Sequence, residues 1–188
     1  LPFGVDGLNR IDAEIRSVFP REQLLVPDDV RGDEVTLELA VLTRGWPRLS
    51  QARGKIMFAL DNGGEPRELY IAGHASLEGR VLFTDSPAGT PEAAFMKRND
   101  PLSDPGDIAS LVEQGYMVRT RADADTVQAR TNDTTQRDAA LASGAHFIST
   151  DYPVPNPDFS EYQVTLPGGR VARCNPVNPG PCEERFLD

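Results

Sequence analysis

The stretch of residues 115–153 constrains the fold of this chain more than any other. An apolar run at residues 116–118 leads into Arg119-Thr120-Arg121, and a second run at residues 145–148 leads into Ser149-Thr150-Asp151. An alanine-rich segment with the composition of a helix lies between the two runs. Parallel strands joined by a helix bury their apolar residues and carry polar groups where the strands end. The stretch therefore predicts a strand-helix-strand unit with chemistry at its strand ends.

Two earlier apolar runs end in the same way. Residues 56–60 run into Asp61-Asn62, and residues 81–83 run into Thr84-Asp85-Ser86. Polar residues are common in turns, so any one of these ends has an ordinary explanation. Four in succession favour a functional site, because the carboxyl ends of parallel strands meet at one edge.

Helices are predicted between and before these strands. Apolar residues recur at helical spacing over residues 8–18 and 108–112, and Asp104 is the predicted N-terminal cap of the second helix. Asp133 and Gln136 resemble a capping box that opens a further helix. Strands alternating with helices predict an α/β fold with a parallel sheet.

Charge and motif content exclude several classes of function. The 188 residues include 29 acidic and 19 basic side chains, for a formal net charge of −10. This charge argues against a nucleic-acid partner and against loose adhesion to anionic membranes. No apolar run approaches the roughly 20 residues of a transmembrane helix. The P-loop, Rossmann, serine-hydrolase and zincin signatures are absent.

The two cysteines, Cys174 and Cys182, lie close together in a tail rich in proline. A local disulfide is the preferred interpretation, which would place the protein in an oxidising compartment. Two free thiols in a reduced protein are the alternative. A zinc site is disfavoured, because no second pair of cysteines or histidines stands at ligand spacing.

Arg119 and Arg121 are two residues apart, so both point to the same side of a strand. Two guanidinium groups that face a pocket would converge on an anion, and their paired N–H groups suit phosphate oxygens. The alternative is a set of structural salt bridges to Asp123, Asp125 or Asp151. Both interpretations remain open from the sequence.

Asp61 and the two histidines also have two interpretations each. Asp61 could orient a substrate hydroxyl or approach a metal, or it is simply a turn residue beside Asn62. His74 and His146 are far apart in the sequence, and His146 stands at the start of its strand. We therefore expect structural roles for both histidines rather than an acid/base pair.

At these same residues the chain resembles the calcium-dependent, phosphatidylinositol-specific phospholipase C-like enzymes, part of the phospholipase C and glycerophosphodiesterase barrel superfamily. Most of the matching segments are apolar strands that end in polar residues, and the others lie in the tail. They are residues 53–58, 73–83, 115–123, 143–153, 166–169 and 173–176.

The resemblance implies a (β/α)8 TIM-barrel-like phosphodiesterase of which this chain supplies about the C-terminal half. Residues 1–153 would form that part of the barrel, and residues 154–188 a tail packed on the same domain. The implied reaction is attack of the inositol 2-hydroxyl on phosphorus, with one histidine as base, another as acid, and Ca²⁺ offsetting charge. The catalytic histidines and Ca²⁺ ligands would lie on strands upstream of Leu1.

The resemblance also implies a substrate and a location. The expected partner is a phosphoinositide or another phosphodiester at a membrane surface, together with the N-terminal half of the barrel, in a secreted or extracytoplasmic protein. Related eukaryotic enzymes carry lysines on the fifth strand, whereas this chain has Leu60-Asp61-Asn62, which favours unphosphorylated phosphatidylinositol. The alternatives are a glycerophosphodiester phosphodiesterase and a non-catalytic module that binds phosphate. The candidate substrate-binding residues are Arg119, Arg121, Asp61, Asp123 and Asp151.

Overall fold

The structure is a computed structural model that describes residues 4–103, 105–183, 185 and 187. The chain divides into two compact units, Leu1–Met96 and Lys97–Asp188, and each is described by itself. The tail predicted for residues 154–188 belongs to the second unit. The predicted cap Asp104 lies outside the described residues.

The first unit alternates helices with short parallel strands. In chain order its elements are α1 Val5–Val18, β1 Leu24–Leu25, α2 Pro27–Arg31, α3 Leu37–Thr43, α4 Leu49–Ala52, β2 Ile56–Leu60, α5 Glu65–Ile71 and β3 Leu82–Thr84. The helix predicted over residues 8–18 is confirmed as α1. It stops before Phe19 and Pro20 because a proline lacks an N–H and restricts the residue before it.

The sheet of the first unit has the order β1-β2-β3, and both strand pairs are parallel. The strand predicted at residues 56–60 matches β2. Its Phe58 packs with Ile15 of α1 on a buried cluster formed by Leu24, Val26 and Val81. Burial of these side chains against a helix explains why the short strands are stable.

A buried polar network joins α1, α5 and β3. The Tyr70 hydroxyl donates to Asp12 Oδ1 over 2.6 Å and accepts from the backbone N–H of Leu82 over 2.9 Å. Arg80 donates through Nε to the Tyr70 carbonyl over 2.8 Å, and its guanidinium lies 4.3 Å from the Tyr70 ring centroid. Burial and the hydrogen bond to Asp12 raise the pKa of Tyr70, so the hydroxyl remains a donor.

The second unit contains the stretch that first indicated the fold. Strand β4 Phe95–Lys97 contains the boundary between the units, and the elements of the second unit that follow it are α6 Pro105–Gln114, β5 Met117–Arg121, α7 Val127–Thr131, α8 Thr135–Ala142 and β6 Phe147–Ser149. Its sheet has the order β4-β5-β6. Strands β5 and β6 are parallel, with Arg119 opposite Phe147 and Arg121 opposite Ser149.

The tail is fixed to the second unit by side chains and by a disulfide. Cys174 and Cys182 are bonded, with Cα atoms 5.8 Å apart. Tyr152 and Tyr162 pack with Ala129 of α7 in a buried cluster. The irregular segment therefore has its own packed contacts, although it contains no α-helix or β-strand among its described residues.

The mixed α/β class with parallel strands is confirmed, and one local prediction is wrong. Strand β4, in which Phe95 and Met96 are buried, is not among the strands that the sequence predicts. The capping box of Asp133 and Gln136 does not form. Helix α8 begins after Thr134, and the Gln136 amide instead donates to the Arg121 carbonyl.

In the described part of the chain, no helix is long and apolar enough to cross a bilayer.

Candidate functional site

Strand β5 presents its two arginines on one face, as their spacing predicted. Val118 and Thr120 are fully buried on the opposite face, whereas Met117, Arg119 and Arg121 are half-buried. This alternation follows from the two-residue repeat of a strand, in which successive side chains point to opposite sides. The arginine face is consequently the more exposed of the two.

Arg119 is oriented by two neutral side chains. Its Nη1 donates to Asn99 Oδ1 over 2.8 Å, and its Nη2 donates to Ser149 Oγ over 2.8 Å. The Ser149 hydroxyl in turn donates to the Thr120 carbonyl over 3.2 Å. An amide and a hydroxyl carry no net charge, so these two bonds orient the guanidinium through neutral groups.

Arg121 stands at the carboxyl end of β5 and has a different environment. Among the residues that the structure describes, its half-buried guanidinium makes no hydrogen bond and no ion pair. Its carbonyl accepts from Gln136 Nε2 over 3.2 Å, and Gln136 is held in turn by Gln128. The backbone at Arg121 is therefore fixed, while five N–H donors remain for water or an anion.

Asp123 supports the turn that follows β6. It is 2% exposed and accepts from Thr150 Oγ1 over 2.5 Å, from the Asp151 backbone N–H over 2.9 Å and from the Tyr162 hydroxyl over 3.3 Å. Burial, followed by the charge of Asp123, raises the pKa of Tyr162. The carboxylate thus stabilises the chain beside β5, and its predicted contact with substrate stays a prediction.

Asp151 and Asp61 complete the set of predicted substrate-binding residues. Asp151 is exposed in the turn that Asp123 holds, close in the fold to the end of β6. Asp61 is exposed after β2 in the first unit. The structure thus groups Arg119, Arg121 and the Asp123–Asp151 pair in the second unit. The predicted role of Asp61 remains untested.

A family model described as "Phosphoinositide phospholipase C, Ca²⁺-dependent" matches residues 1–176. The chain belongs to this family. The resemblance identified from the strand-end segments is therefore confirmed, and membership indicates a function of the phosphoinositide phospholipase C type. No curated protein and no solved structure matches the chain.

Ca²⁺ takes six to eight oxygen ligands, with carboxylates prominent among them. Across residues 4–103 and 105–183, with 185 and 187, no group of three or more histidine, cysteine, aspartate or glutamate side chains is placed to hold a metal. The described residues of this phospholipase C-family chain thus do not fit a Ca²⁺ site.

Each of the two histidines contacts backbone close to its own strand or turn. His146 Nδ1 accepts from the Val118 N–H over 3.2 Å at the amino end of β5, and burial of part of its ring lowers the His146 pKa. His74 Nδ1 lies 2.8 Å from the Glu78 carbonyl oxygen. Each histidine ring thus contacts backbone atoms, and the structural roles expected for both side chains stay a prediction.

Three residues that orient the arginines were not singled out from the sequence. Asn99 follows β4, whose strand was not predicted, and Gln136 was assigned to a helix cap. Ser149 was recognised only as part of a polar strand end. The strand register pairs Ser149 with Arg121 and Phe147 with Arg119, so the bond from Arg119 to Ser149 runs diagonally between the strands, and no local sequence pattern indicates it.

Proposed function

We propose that this chain is the phosphate-binding part of a Ca²⁺-dependent phosphodiesterase that cleaves an inositol phospholipid. One observation carries the proposal. In a chain of the phosphoinositide phospholipase C family, Arg121 ends a strand with a half-buried guanidinium that has no protein partner among the described residues. A half-buried cation without a partner is costly unless a ligand or water satisfies it.

The two arginines have separate roles in this proposal. Arg121 donates directly to non-bridging oxygens of the substrate phosphate. Arg119, held by Asn99 and Ser149, adds a fixed positive charge on the same strand face. As the inositol 2-hydroxyl attacks phosphorus, negative charge grows on those oxygens, and preorganised cations stabilise it more than in the ground state.

The architecture belongs to the same proposal. Parallel strands in both units, with a helix between most successive strands, are compatible with about half of a (β/α)8 barrel. The family resemblance assigns the acid and base histidines and the Ca²⁺ ligands to barrel strands that precede Leu1, and the substrate-binding edge to this chain. Asp61 would then orient a substrate hydroxyl, and Asp151 would line the edge beside Arg121.

The disulfide and the strand-end residues support the remaining details. The Cys174–Cys182 bond is stable in an oxidising compartment, which favours a secreted or extracytoplasmic protein. Leu60-Asp61-Asn62 supplies no cation for ring phosphates, which favours unphosphorylated phosphatidylinositol as substrate.

A non-catalytic phosphate-binding module is the second candidate. It is favoured by one observation: His74 and His146 both contact backbone atoms rather than each other or an open strand end. This candidate predicts binding through Arg121 without turnover by the complete protein.

The test is hydrolysis of phosphatidylinositol vesicles by the complete polypeptide, followed by ³¹P NMR, with Ca²⁺ or with a chelator. The enzyme is expected to release cyclic inositol phosphate only with Ca²⁺, and Arg121→Ala is expected to lower kcat about 100-fold. Arg10→Ala, at an exposed position on α1, is the matched control and should leave kcat unchanged.

The products separate the candidates. Absence of any product with Ca²⁺, together with Arg121-dependent lipid binding, would select the non-catalytic module. Release of glycerophosphate without a cyclic product would select the glycerophosphodiesterase. Full activity of Arg121→Ala would remove the phosphate-binding role from this residue.

A further inference from the structure

The first unit contains a cavity of about 450 Å³. Leu25 at the end of β1 and Trp46, between α3 and α4, contribute apolar surface to it, and Asp29, Arg44, Arg48 and Lys55 contribute charged groups. Cavities of roughly 300–1,000 Å³ hold small organic ligands. The cavity is therefore large enough for a molecule of the size of a sugar phosphate.

Positive charge predominates in the cavity. Three of its four charged lining residues are cations. The fourth, Asp29, is already paired, because both of its oxygens accept from Arg21, over 2.6 and 3.1 Å. Burial by itself would raise the pKa of Asp29, but the hydrogen bonds from Arg21 and from the Val26 N–H hold this pKa below its ordinary value. The cavity thus has an excess of positive charge in a chain whose formal net charge is −10.

Neutral groups, not carboxylates, hold two of the cations in place. Arg44 Nη2 donates to the carbonyls of Val30 over 2.6 Å and Arg31 over 2.8 Å. Lys55 Nζ donates to the carbonyl of Glu22 over 2.8 Å. A carbonyl carries no net charge, so these bonds order the two side chains without neutralising them. Because the side chains are already ordered, binding of an anion costs little further conformational entropy.

Arg48 is the cation with free donors. It is exposed, and among the described residues its guanidinium has no hydrogen-bond partner. Within that same part of the chain, Arg44, Arg48 and Lys55 make no ion pair. Three cations around one cavity that contains a single carboxylate are an arrangement that suits a phosphate group, and guanidinium N–H groups match its oxygens.

We infer that this cavity binds a small phosphate-bearing molecule. The phosphate lies among Arg44, Arg48 and Lys55, and the remainder of the ligand lies against Trp46 and Leu25. Trp46 is held for this contact by Phe83 of β3, whose ring centroid is 5.2 Å away. The site lies wholly in the first unit and uses none of the residues of the proposed phospholipase site, so it goes beyond that function.

The single tryptophan of the chain provides a direct measurement. Trp46 emission is recorded while inorganic phosphate, and separately glycerol 3-phosphate, is added to the full chain at constant ionic strength, with sodium chloride as the blank. A saturable change is expected for both probes, with tighter binding of glycerol 3-phosphate because its carbon atoms contact Trp46 and Leu25.

Variants assign the signal to the cavity. Arg48→Ala should weaken binding about fivefold, since it removes one solvent-accessible charge contact. The double variant Arg48→Ala, Lys55→Gln should abolish saturation. Arg10→Ala changes an exposed cation outside the cavity and should bind as the wild type does. Arg48 makes no side-chain bond in the described structure, so its replacement should not alter folding, which far-ultraviolet circular dichroism checks.

The outcomes are distinct. A saturable change that Arg48→Ala weakens and Arg10→Ala does not supports the site. A change no larger than that with sodium chloride, or equal weakening by Arg10→Ala, overturns it. Loss of the signal in Arg121→Ala would also overturn it, because the anion would then act through the second unit. Failure of phosphatidylinositol hydrolysis has no bearing on this measurement.

Discussion

Arg119 and Arg121 share one strand face, yet their surroundings give them different chemistry. Asn99 and Ser149 accept from two of the five N–H donors of Arg119, whereas the guanidinium of Arg121 has no partner among the described residues. A guanidinium held by neighbouring side chains is suited to act as a fixed charge, and one with all its donors open is suited to direct contact with an anion. At the scale of single residues, the neutral partners of Arg119 therefore distinguish the roles that we propose for the two arginines.

Thr120, between these arginines, offers a test of local packing. It is fully buried, and its Oγ1 has no hydrogen-bond partner in the described structure. Thr120→Val removes this hydroxyl, so the free energy of unfolding should stay the same or rise by up to about 1 kcal/mol. Thr84→Val is the matched control, because the equally buried Thr84 Oγ1 bonds Ser86 Oγ over 2.8 Å. That control should lose about 1 kcal/mol.

Urea unfolding followed by circular dichroism compares these two valine variants. Equal destabilisation by both would contradict the assignment of an unsatisfied hydroxyl to Thr120.

His146 should make stability depend on pH. Burial lowers its pKa in the folded chain, so the unfolded chain takes up a proton at higher pH than the folded one does. The free energy of unfolding should consequently fall as pH drops below about 6.5, the ordinary histidine pKa, until the pH is below the lower pKa of the folded chain.

The control variant His146→Asn keeps an acceptor for the Val118 N–H but cannot titrate. Melting temperatures of both proteins from pH 8 to 5 measure the difference. An unchanged pH dependence in the variant would show that other groups cause it.

At the scale of secondary-structure elements, the link between α8 and β6 depends on Gly144. Its φ is +82°, and a Cβ there would lie 2.5 Å from Val177 Cγ2 in the tail. Gly144→Ala should therefore lower the free energy of unfolding by at least about 2 kcal/mol, from backbone strain and from displacement of the tail.

Gly89→Ala is the matched control for Gly144→Ala, since the φ of Gly89 is +88° but nothing lies within 4 Å of the added Cβ. It should cost only about 1 kcal/mol. Thermal unfolding measures both, and similar losses would mean that the tail yields without cost.

The sequence predicts those helices and strands that are marked by a pattern of neighbouring residues. Strand β2 follows from five consecutive apolar residues that end at Asp61-Asn62, and α1 follows from apolar residues at helical spacing before Pro20. Strand β1 has only two residues, and β4 has three that run into charged side chains, so neither has a pattern long enough to recognise. Residues distant in the sequence cover these two strands, so their burial cannot be recognised from the neighbouring residues.

The candidate site divides in the same way. The shared face of Arg119 and Arg121 follows from a two-residue spacing alone. The register of three strands brings Asn99, twenty residues earlier, to Arg119. The same register leaves Arg121 without a side-chain partner in the described part of the chain. Gln136 illustrates the same limit. Its spacing from Asp133 fits a cap, but the Arg121 carbonyl is the partner that the fold places within reach.

At the scale of the whole molecule, local cations stand within a strongly acidic chain. We propose that Arg121 and the cavity cations bind phosphate at short range, whereas the net charge of −10 repels an anionic surface at long range. Specific contacts operate within a few ångströms and are little affected by salt when partly buried. Long-range repulsion, in contrast, is screened as the Debye length falls from about 30 Å at 0.01 M salt to about 8 Å at 0.15 M.

This difference predicts an unusual salt dependence for lipid binding. The fraction of the chain that sediments with vesicles containing phosphatidylinositol should rise between 0.01 and 0.15 M sodium chloride, since repulsion weakens while the contacts of Arg121 persist. Vesicles of phosphatidylcholine alone, which carry no net charge, are the control and should show no rise. A bound fraction that falls with salt would mean that a basic surface dominates the encounter, as in proteins held to membranes by clusters of lysine and arginine. Arg121→Ala should lower binding at every salt concentration without changing the direction of the trend, because it removes a short-range contact and alters the net charge by only one unit.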